Sequence, residues 1–263
     1  MSKKQTNPTF VIDMLQECQM LEETITYYVQ NTACKGFLTF DNTSEDQRPG
    51  IIIAPAWRGL DEFAKAKARD LARLGYVALA ADIYGDAKKA RSDEEALALM
   101  KPFFLDRKLL QDRIHGAYQA ILETPTCQRH KVGAIGFCFG GLTVIELFRS
   151  GTPIKGAVSF HGVLGNSIGE EKAATVPLAK NIEGSLLVLH GHDDPLVTSQ
   201  DIANLENELT EAKLDWQFHI YSNTSHAFTN PTLNDPNNGL VYNQRSAARA
   251  WKSMQNFFKE IFI

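Results

Sequence analysis

The chain has 263 residues, of which 44% are hydrophobic and 22% charged, and a formal net charge of -4 at pH 7. This length is enough for one large core, so we expect a single domain over residues 1–263. The weak negative charge, with Lys and Arg spread along the chain, argues against nucleic-acid binding. The N-terminal residues contain no sustained apolar run, which predicts neither a signal peptide nor a membrane span and favours a cytoplasmic location.

The four cysteines are scattered along the chain without paired spacing; they are Cys18, Cys34, Cys127 and Cys138. This distribution argues against a disulfide framework and against a structural zinc site. We expect reduced thiols.

The predicted elements begin with two short strands at 24–29 and 36–40, which favour an antiparallel hairpin. Continuous apolar runs then alternate with helical periodicity, a pattern typical of a mostly parallel sheet with helices on both faces. The fold class is therefore predicted to be α/β. The later strands are expected at 51–54, 76–81, 132–137, 157–160, 186–190 and 217–221.

The helices between these strands are marked by apolar residues on one face and by capping residues. They are expected at 61–74, at 106–123, at 142–149, after Thr198 or Ser199, and at the C-terminus. Two stretches fit the alternation poorly: 84–104, which contains a short charged helix and then Lys101-Pro102-Phe103-Phe104, and 229–240, which is rich in Asn and Pro. They are either loops at the carboxyl edge of the sheet, where ligands bind in open α/β folds, or ordinary surface connections.

A cysteine lies between glycines where a buried strand turns into a helix, in Gly136-Phe137-Cys138-Phe139-Gly140-Gly141. Glycines beside such a turn permit a strained nucleophile elbow. The elbow would place the sulfur of Cys138 at the positive end of the following helix, which favours thiolate over thiol. An inert buried cysteine in an ordinary turn is the competing interpretation.

A cysteine nucleophile needs a base, and the base needs an acceptor that fixes its tautomer. Asp194 follows one apolar run and His226 follows the next, so both are expected at strand ends on the same edge as Cys138. The order nucleophile, acid, histidine is the order of α/β-hydrolases. Asp193 is the alternative acid; the choice of Asp194 comes from a family resemblance, in which its offset from Gly191 matches the Gly-x-x-Asp-Pro turn.

Four motifs in this order resemble the dienelactone hydrolase family: the Gly-Cys-Gly elbow, Gly191 to Pro195, Ser225-His226-Ala227-Phe228 and Asp82-Ile83-Tyr84. The resemblance covers nearly the whole chain. It implies a single-domain α/β-hydrolase fold with an antiparallel N-terminal hairpin, no cofactor or metal, and activity on small esters and lactones. By resemblance, Cys138, Asp194 and His226 form the catalytic triad.

An oxyanion hole in this architecture uses the amide after the nucleophile and an amide from an early strand-to-helix loop. These are the backbone N–H groups of Phe139 and Trp57. Four side chains are predicted to contact substrate, although each has an ordinary structural interpretation; they are Arg58, Tyr84, His161 and Phe228.

The sequence also departs from the family pattern. Ala56 stands where the dienelactone hydrolases carry a glutamate that handles the cysteine's proton. Asp86 and Asn230 stand near the positions of the two arginines that bind the substrate carboxylate in the family. An anionic dienelactone is therefore not the expected substrate.

Three functions other than ester or lactone hydrolysis are compatible with some of these residues. His190, His192 and Asp194 resemble part of a metal-hydrolase motif, but Pro195 replaces the next ligand. A thiol redox sensor would need no aligned Asp and His. Transfer of the acyl group to an alcohol or thiol cannot be separated from hydrolysis by sequence, nor can a monomer be separated from a homodimer.

Overall fold

The computed structural model describes residues 19–174 and 176–263. Cys18 and the N-terminal residues used to predict the absence of a signal peptide lie outside these ranges. Within them, no helix is both long enough and apolar enough to span a membrane.

Eight of the strands form one sheet and the other four form two short pairs. The strands are β1 (Met20–Val29), β2 (Thr32–Asp41), β3 (Arg48–Ala54), β4 (Val77–Ala80), β5 (Cys127–Phe137), β6 (Gly156–Phe160), β7 (Ser167–Ile168), β8 (Glu171–Lys172), β9 (Ser185–Gly191), β10 (Asp215–Tyr221), β11 (Asn234–Asp235) and β12 (Leu240–Val241). The helices are α1 (Glu62–Arg73), α2 (Asp93–Leu105), α3 (Arg107–Leu122), α4 (Phe139–Arg149), α5 (Ser199–Glu211) and α6 (Gln244–Ile261).

The large sheet has the order β1-β2-β4-β3-β5-β6-β9-β10. The entry hairpin pairs Met20 with Asp41 and Val29 with Thr32, and β2 runs antiparallel to β4. All remaining pairs are parallel. The predicted α/β class, the hairpin and the mostly parallel sheet are confirmed.

Alternate side chains of the central strands enter two hydrophobic cores, one on each face of the sheet. On one face Ile52 and Ala134 pack with α3 and α4, and on the other Ile53 and Ile135 pack with α1 and α6. Because both faces are covered, the buried parts of these strands are almost entirely apolar, which is why they are visible in the sequence as continuous runs.

Two predicted boundaries are wrong. The stretch 84–104, expected to contain a short charged helix before Lys101-Pro102-Phe103-Phe104, carries α2 over Asp93–Leu105, with the Ser92 side chain accepting the amide of Glu95 at its start. Pro102 lies inside this helix and weakens the helical signal of the sequence. Helix α4 begins at Phe139, three residues before the predicted start, because the glycines that suggested a turn continue into the first helical turn.

Asp82 organises the loop that follows β4. Its carboxylate accepts backbone N–H groups from Lys35, Gly85 and Ala87 at 2.8–2.9 Å, and the residue is 1% exposed. These amide donors replace the hydrogen bonds to water that the carboxylate loses on burial. Asp82 therefore fixes the start of the loop that carries Tyr84.

We expect Asp82→Asn to lower the free energy of unfolding by about 2 to 4 kcal/mol, because the amide presents a single acceptor oxygen to three donors. Urea denaturation measures this loss. Asp93→Asn is the control, since Asp93 pairs with Arg58 at the surface, and it should cost less than about 1 kcal/mol. Equal losses in the two variants would contradict the role given to Asp82.

Candidate active site

Cys138 lies at the turn between β5 and α4, with φ 56° and ψ -119°. This conformation is strained for a residue with a Cβ and is typical of functional turns. Neighbouring backbone makes the turn possible only with glycine: a Cβ at Gly136 would lie 1.9 Å from the oxygen of Gly140, and a Cβ at Gly140 would lie 2.1 Å from the oxygen of Ala54. The thiol of Cys138 is partly exposed, as a nucleophile requires.

His226 and Asp194 form a fully buried pair. The Nδ1 atom of His226 lies 2.7 Å from Oδ2 of Asp194, and neither side chain is exposed. The other carboxylate oxygen accepts the N–H of Leu196 at 2.9 Å. Asp194 follows β9 and His226 follows β10, so neighbouring parallel strands deliver the two side chains to one edge of the sheet.

The imidazole of His226 interacts with Cys138. Complete burial disfavours its charged form, but the negative charge of a Cys138 thiolate and the hydrogen bond to Asp194 prevail and raise the pKa of His226 to about 10. The Nε2 atom is buried and has no partner that meets hydrogen-bond geometry in the described residues. Its interaction with Cys138 is electrostatic, and such contacts are often long before substrate binds.

The loop after β3 lies against the first turn of α4. Trp57 and Phe139 sit on the two sides of this contact, and neither amide donates to a backbone acceptor among residues 19–174 and 176–263. The Tyr84 hydroxyl donates to the Trp57 carbonyl at 2.6 Å, and its ring stacks on that of Phe139 with centroids 6.4 Å apart. Tyr84 therefore orients both segments that carry the predicted oxyanion donors.

The other predicted substrate contacts are placed differently from one another. Arg58 forms an ion pair with Asp93 at the start of α2. Phe228 is completely buried in the core on the α1 and α6 face. His161 is 2% exposed and hydrogen-bonded through both ring nitrogens. Because Phe228 and His161 are buried, they are packing or positioning groups and not substrate contacts. The Arg58 cation, which is predicted to contact substrate, is paired with Asp93 instead.

The two histidines of the alternative metal motif are in different environments. His190 is buried with its Nδ1 4.0 Å from Asp194, and burial lowers its pKa. His192 is 71% exposed and pairs with Asp193 at 2.9 Å. The residues that the structure describes contain no group of three His, Cys, Asp or Glu side chains arranged to hold a metal ion. Asp194, and not Asp193, lies against His226.

The described part of the chain also contains two cavities, the second of which is lined in part by Phe137 and Thr229. One of about 250 Å³ is lined by α4 and α5 residues such as Glu146, Arg149 and Glu208, and one of about 540 Å³ lies between α1 and α6. Cys138, Asp194 and His226 line neither cavity. The site is defined by the contacts among its chemical groups, because catalysis depends on that geometry and not on cavity size.

Comparison with known proteins identifies the family. The model of the dienelactone hydrolase family matches residues 35–262. The crystal structure of P91, described as a dienelactone hydrolase-like promiscuous phosphotriesterase from metagenomic libraries, is 36% identical, with a TM-score of 0.84 over 93% of this chain and 99% of that chain.

Two further relatives are more distant. A Bradyrhizobium protein, named a probable 2-oxo-3-(5-oxofuran-2-ylidene)propanoate lactonase, is 28% identical over 68% of this chain and 73% of its own length. The acylaminoacyl peptidase of Pyrococcus horikoshii is 16% identical, with a TM-score of 0.69 over 92% of this chain and 42% of that chain, and shares the fold. From the family match over most of its length, this chain belongs to the dienelactone hydrolase family and is a hydrolase of that type.

Proposed function

We propose that this protein hydrolyses small carboxylic esters or lactones through Cys138, His226 and Asp194, with a covalent thioester intermediate. The observation that carries the proposal is the buried 2.7 Å contact between His226 and Asp194, which leaves Nε2 of the same imidazole for the cysteine of a strained elbow. A redox thiol needs no such aligned pair. Hydrolysis therefore accounts for more of the geometry.

The first half of the reaction forms the thioester. The Cys138 thiolate attacks the substrate carbonyl carbon, and the oxyanion that develops is bound by the N–H groups of Trp57 and Phe139. When the tetrahedral intermediate collapses, the carbon–oxygen bond to the leaving group breaks. His226 gives the Nε2 proton to the departing alkoxide, and Asp194 stabilises the imidazolium until then.

The second half follows from the same electrostatics. Once the sulfur is acylated it has no charge, so the attraction that raised the pKa of His226 is lost while the burial that opposes protonation remains. The neutral imidazole then takes a proton from water, which attacks the thioester. Collapse of this second tetrahedral intermediate breaks the carbon–sulfur bond and releases the carboxylic acid. Cys138 is then a thiolate again, paired with protonated His226.

Uncharged substrates fit the composition of the site. Ala56 supplies no carboxylate, Asp86 carries a negative charge with a nearby lysine, and Asn230 accepts bonds from Thr232 within its own loop. The rings of Tyr84 and Phe139 are buried beside the elbow and form part of its packing. We therefore expect neutral acyl groups to be preferred over anionic ones.

Phosphotriesters are a second candidate substrate class. The 36% identical P91 protein is described as a promiscuous phosphotriesterase, and a thiolate with two amide donors beside it is also suited to attack on phosphorus. Both activities would use the same nucleophile. Parallel assays on esters and phosphotriesters separate the two classes.

Replacing the nucleophile is the first test. We expect Cys138→Ala to lower kcat for p-nitrophenyl acetate, dihydrocoumarin and paraoxon by about 10⁴-fold or more, because the covalent route is lost. Cys127→Ala removes a buried thiol at the start of β5 and is the control. Full ester hydrolysis by Cys138→Ala would refute the proposed function.

The neighbouring aspartates provide a matched pair of variants. Asp194→Asn should lower kcat by about 10³- to 10⁴-fold, because the amide stabilises the wrong tautomer of the base. Asp193→Asn should change kcat by less than about 2-fold, since that side chain pairs with His192 at the surface. Steady-state kinetics on one ester measures both; a larger loss at Asp193 would reverse the assignment.

The proton on His226 predicts the alkaline limit of activity. Because the thiolate and Asp194 raise its pKa to about 10, the imidazolium needed for the leaving group is retained through neutral pH and is lost as the pH rises through that value. We expect kcat/KM to fall by about 10-fold per pH unit above this limit. A pH profile corrected with Cys138→Ala measures it, and a descending limb near neutrality would contradict the ion pair.

A further inference from the structure

The backbone of Cys138 is held by the segment that follows β6. Its N–H donates to the carbonyl of Phe160 at 3.1 Å and to Nδ1 of His161 at 3.2 Å. Its carbonyl accepts the N–H of Val163 at 3.4 Å. The strained conformation of the nucleophile is thus fixed by contacts on both sides of its Cα.

His161 also reaches the loop that carries the catalytic base. Its Nε2 lies 2.7 Å from Oγ1 of Thr229, which is three residues after His226. The His161 N–H donates to the carbonyl of Leu189 in β9 at 2.8 Å, so its own position is anchored to the sheet. One side chain therefore connects the nucleophile turn with the histidine loop.

These contacts define the protonation state of His161. Nδ1 accepts the Cys138 amide and carries no proton, so the neutral ring must have its proton on Nε2, where Thr229 accepts it. Complete burial, and then the charge of His226, hold the pKa of His161 well below its usual range. The titratable groups that face it are His226, with ring centroids 5.2 Å apart, and His190.

The backbone at this position is also strained. His161 has φ 38°, in the left-handed region that non-glycine residues rarely adopt. Such strain persists where the surroundings impose it, and it accompanies functional sites more often than ordinary packing. The next residue, Gly162, passes so close to α4 that a Cβ on Gly141 would lie 2.5 Å from its Cα. The segment that follows β6 therefore packs closely against the Cys138 turn.

We propose that His161 is a positioning residue that couples the Cys138 elbow to the His226 loop, and that Thr229 holds the ring in place by accepting its Nε2 proton. The inference rests on the proposed function, because it gives His161 a role only if Cys138 attacks and His226 transfers the proton. His161 itself touches no reacting atom. Its effect is to hold the sulfur and the imidazole at a reactive separation.

The test uses Thr229→Val, which is nearly isosteric and removes only the acceptor of the His161 proton. We expect kcat for p-nitrophenyl acetate to fall by about 10-fold with KM changed by less than about 2-fold, as for loss of one hydrogen bond. Thr229→Ser restores the acceptor and should recover activity to within about 3-fold of wild type. Thr232→Val, on an exposed threonine of the same loop, is the control.

A second readout follows the thiol directly. Iodoacetamide alkylation of Cys138, quantified on its peptide by mass spectrometry across pH, reports how far the thiolate is paired with His226. We expect Thr229→Val to move the midpoint of this profile to higher pH and Thr229→Ser to leave it in place. A merely structural role would leave the midpoint unchanged.

Three results would overturn the inference: equal kinetics in Thr229→Val and Thr232→Val, equal losses in Thr229→Val and Thr229→Ser, or an unchanged alkylation profile in Thr229→Val. Failure of the proposed function is seen separately, as ester hydrolysis retained by Cys138→Ala. The alkylation profile does not depend on turnover, so the two failures are distinguishable.

Discussion

The rest of the site depends on the sharp turn of the chain at Cys138, between β5 and α4. A strand and a helix meet there with no intervening loop, which forces a left-handed conformation on the one residue that must carry a side chain. The neighbouring positions have room only for glycine, and carbonyls of Phe160 and Ala54 close the space around the turn. Several parts of the fold, and not the local sequence alone, therefore hold the sulfur in place.

The second constraint is electrostatic. An aspartate and a histidine without any solvent exposure are costly to bury as charges unless each is fully paired. Asp194 meets this condition with one oxygen on His226 and the other on the amide of Leu196. In the proposed mechanism, the Cys138 thiolate balances the charge of the protonated histidine. The three groups lie at the ends of three separate strands.

Much of this arrangement was predictable from the sequence, because the strands are buried on both faces and the site residues directly follow them. The elbow glycines, the offset of Asp194 and the position of His226 were each visible in this way. The C-terminal part of helix α2 is not visible in the sequence because Pro102 obscures its periodicity, although Ser92 and Glu95 carry the capping signal at its start. The contacts of His161 with Cys138 and Thr229 join residues 23 and 68 positions apart, and the sequence has no pattern that predicts such pairs. The same holds for the amides bound by Asp82, which come from a distant strand and from an irregular loop.

The complete burial of His226 has a consequence for the fate of the acyl group. Because the imidazole is completely buried, the molecule that it activates in the proposed mechanism has to reach it through the space that the leaving alcohol vacates. Water and a second alcohol or thiol would compete for that same passage. The shape of the entrance to that passage, more than the identity of the triad, would then determine whether the chain releases an acid or transfers the acyl group to another acceptor.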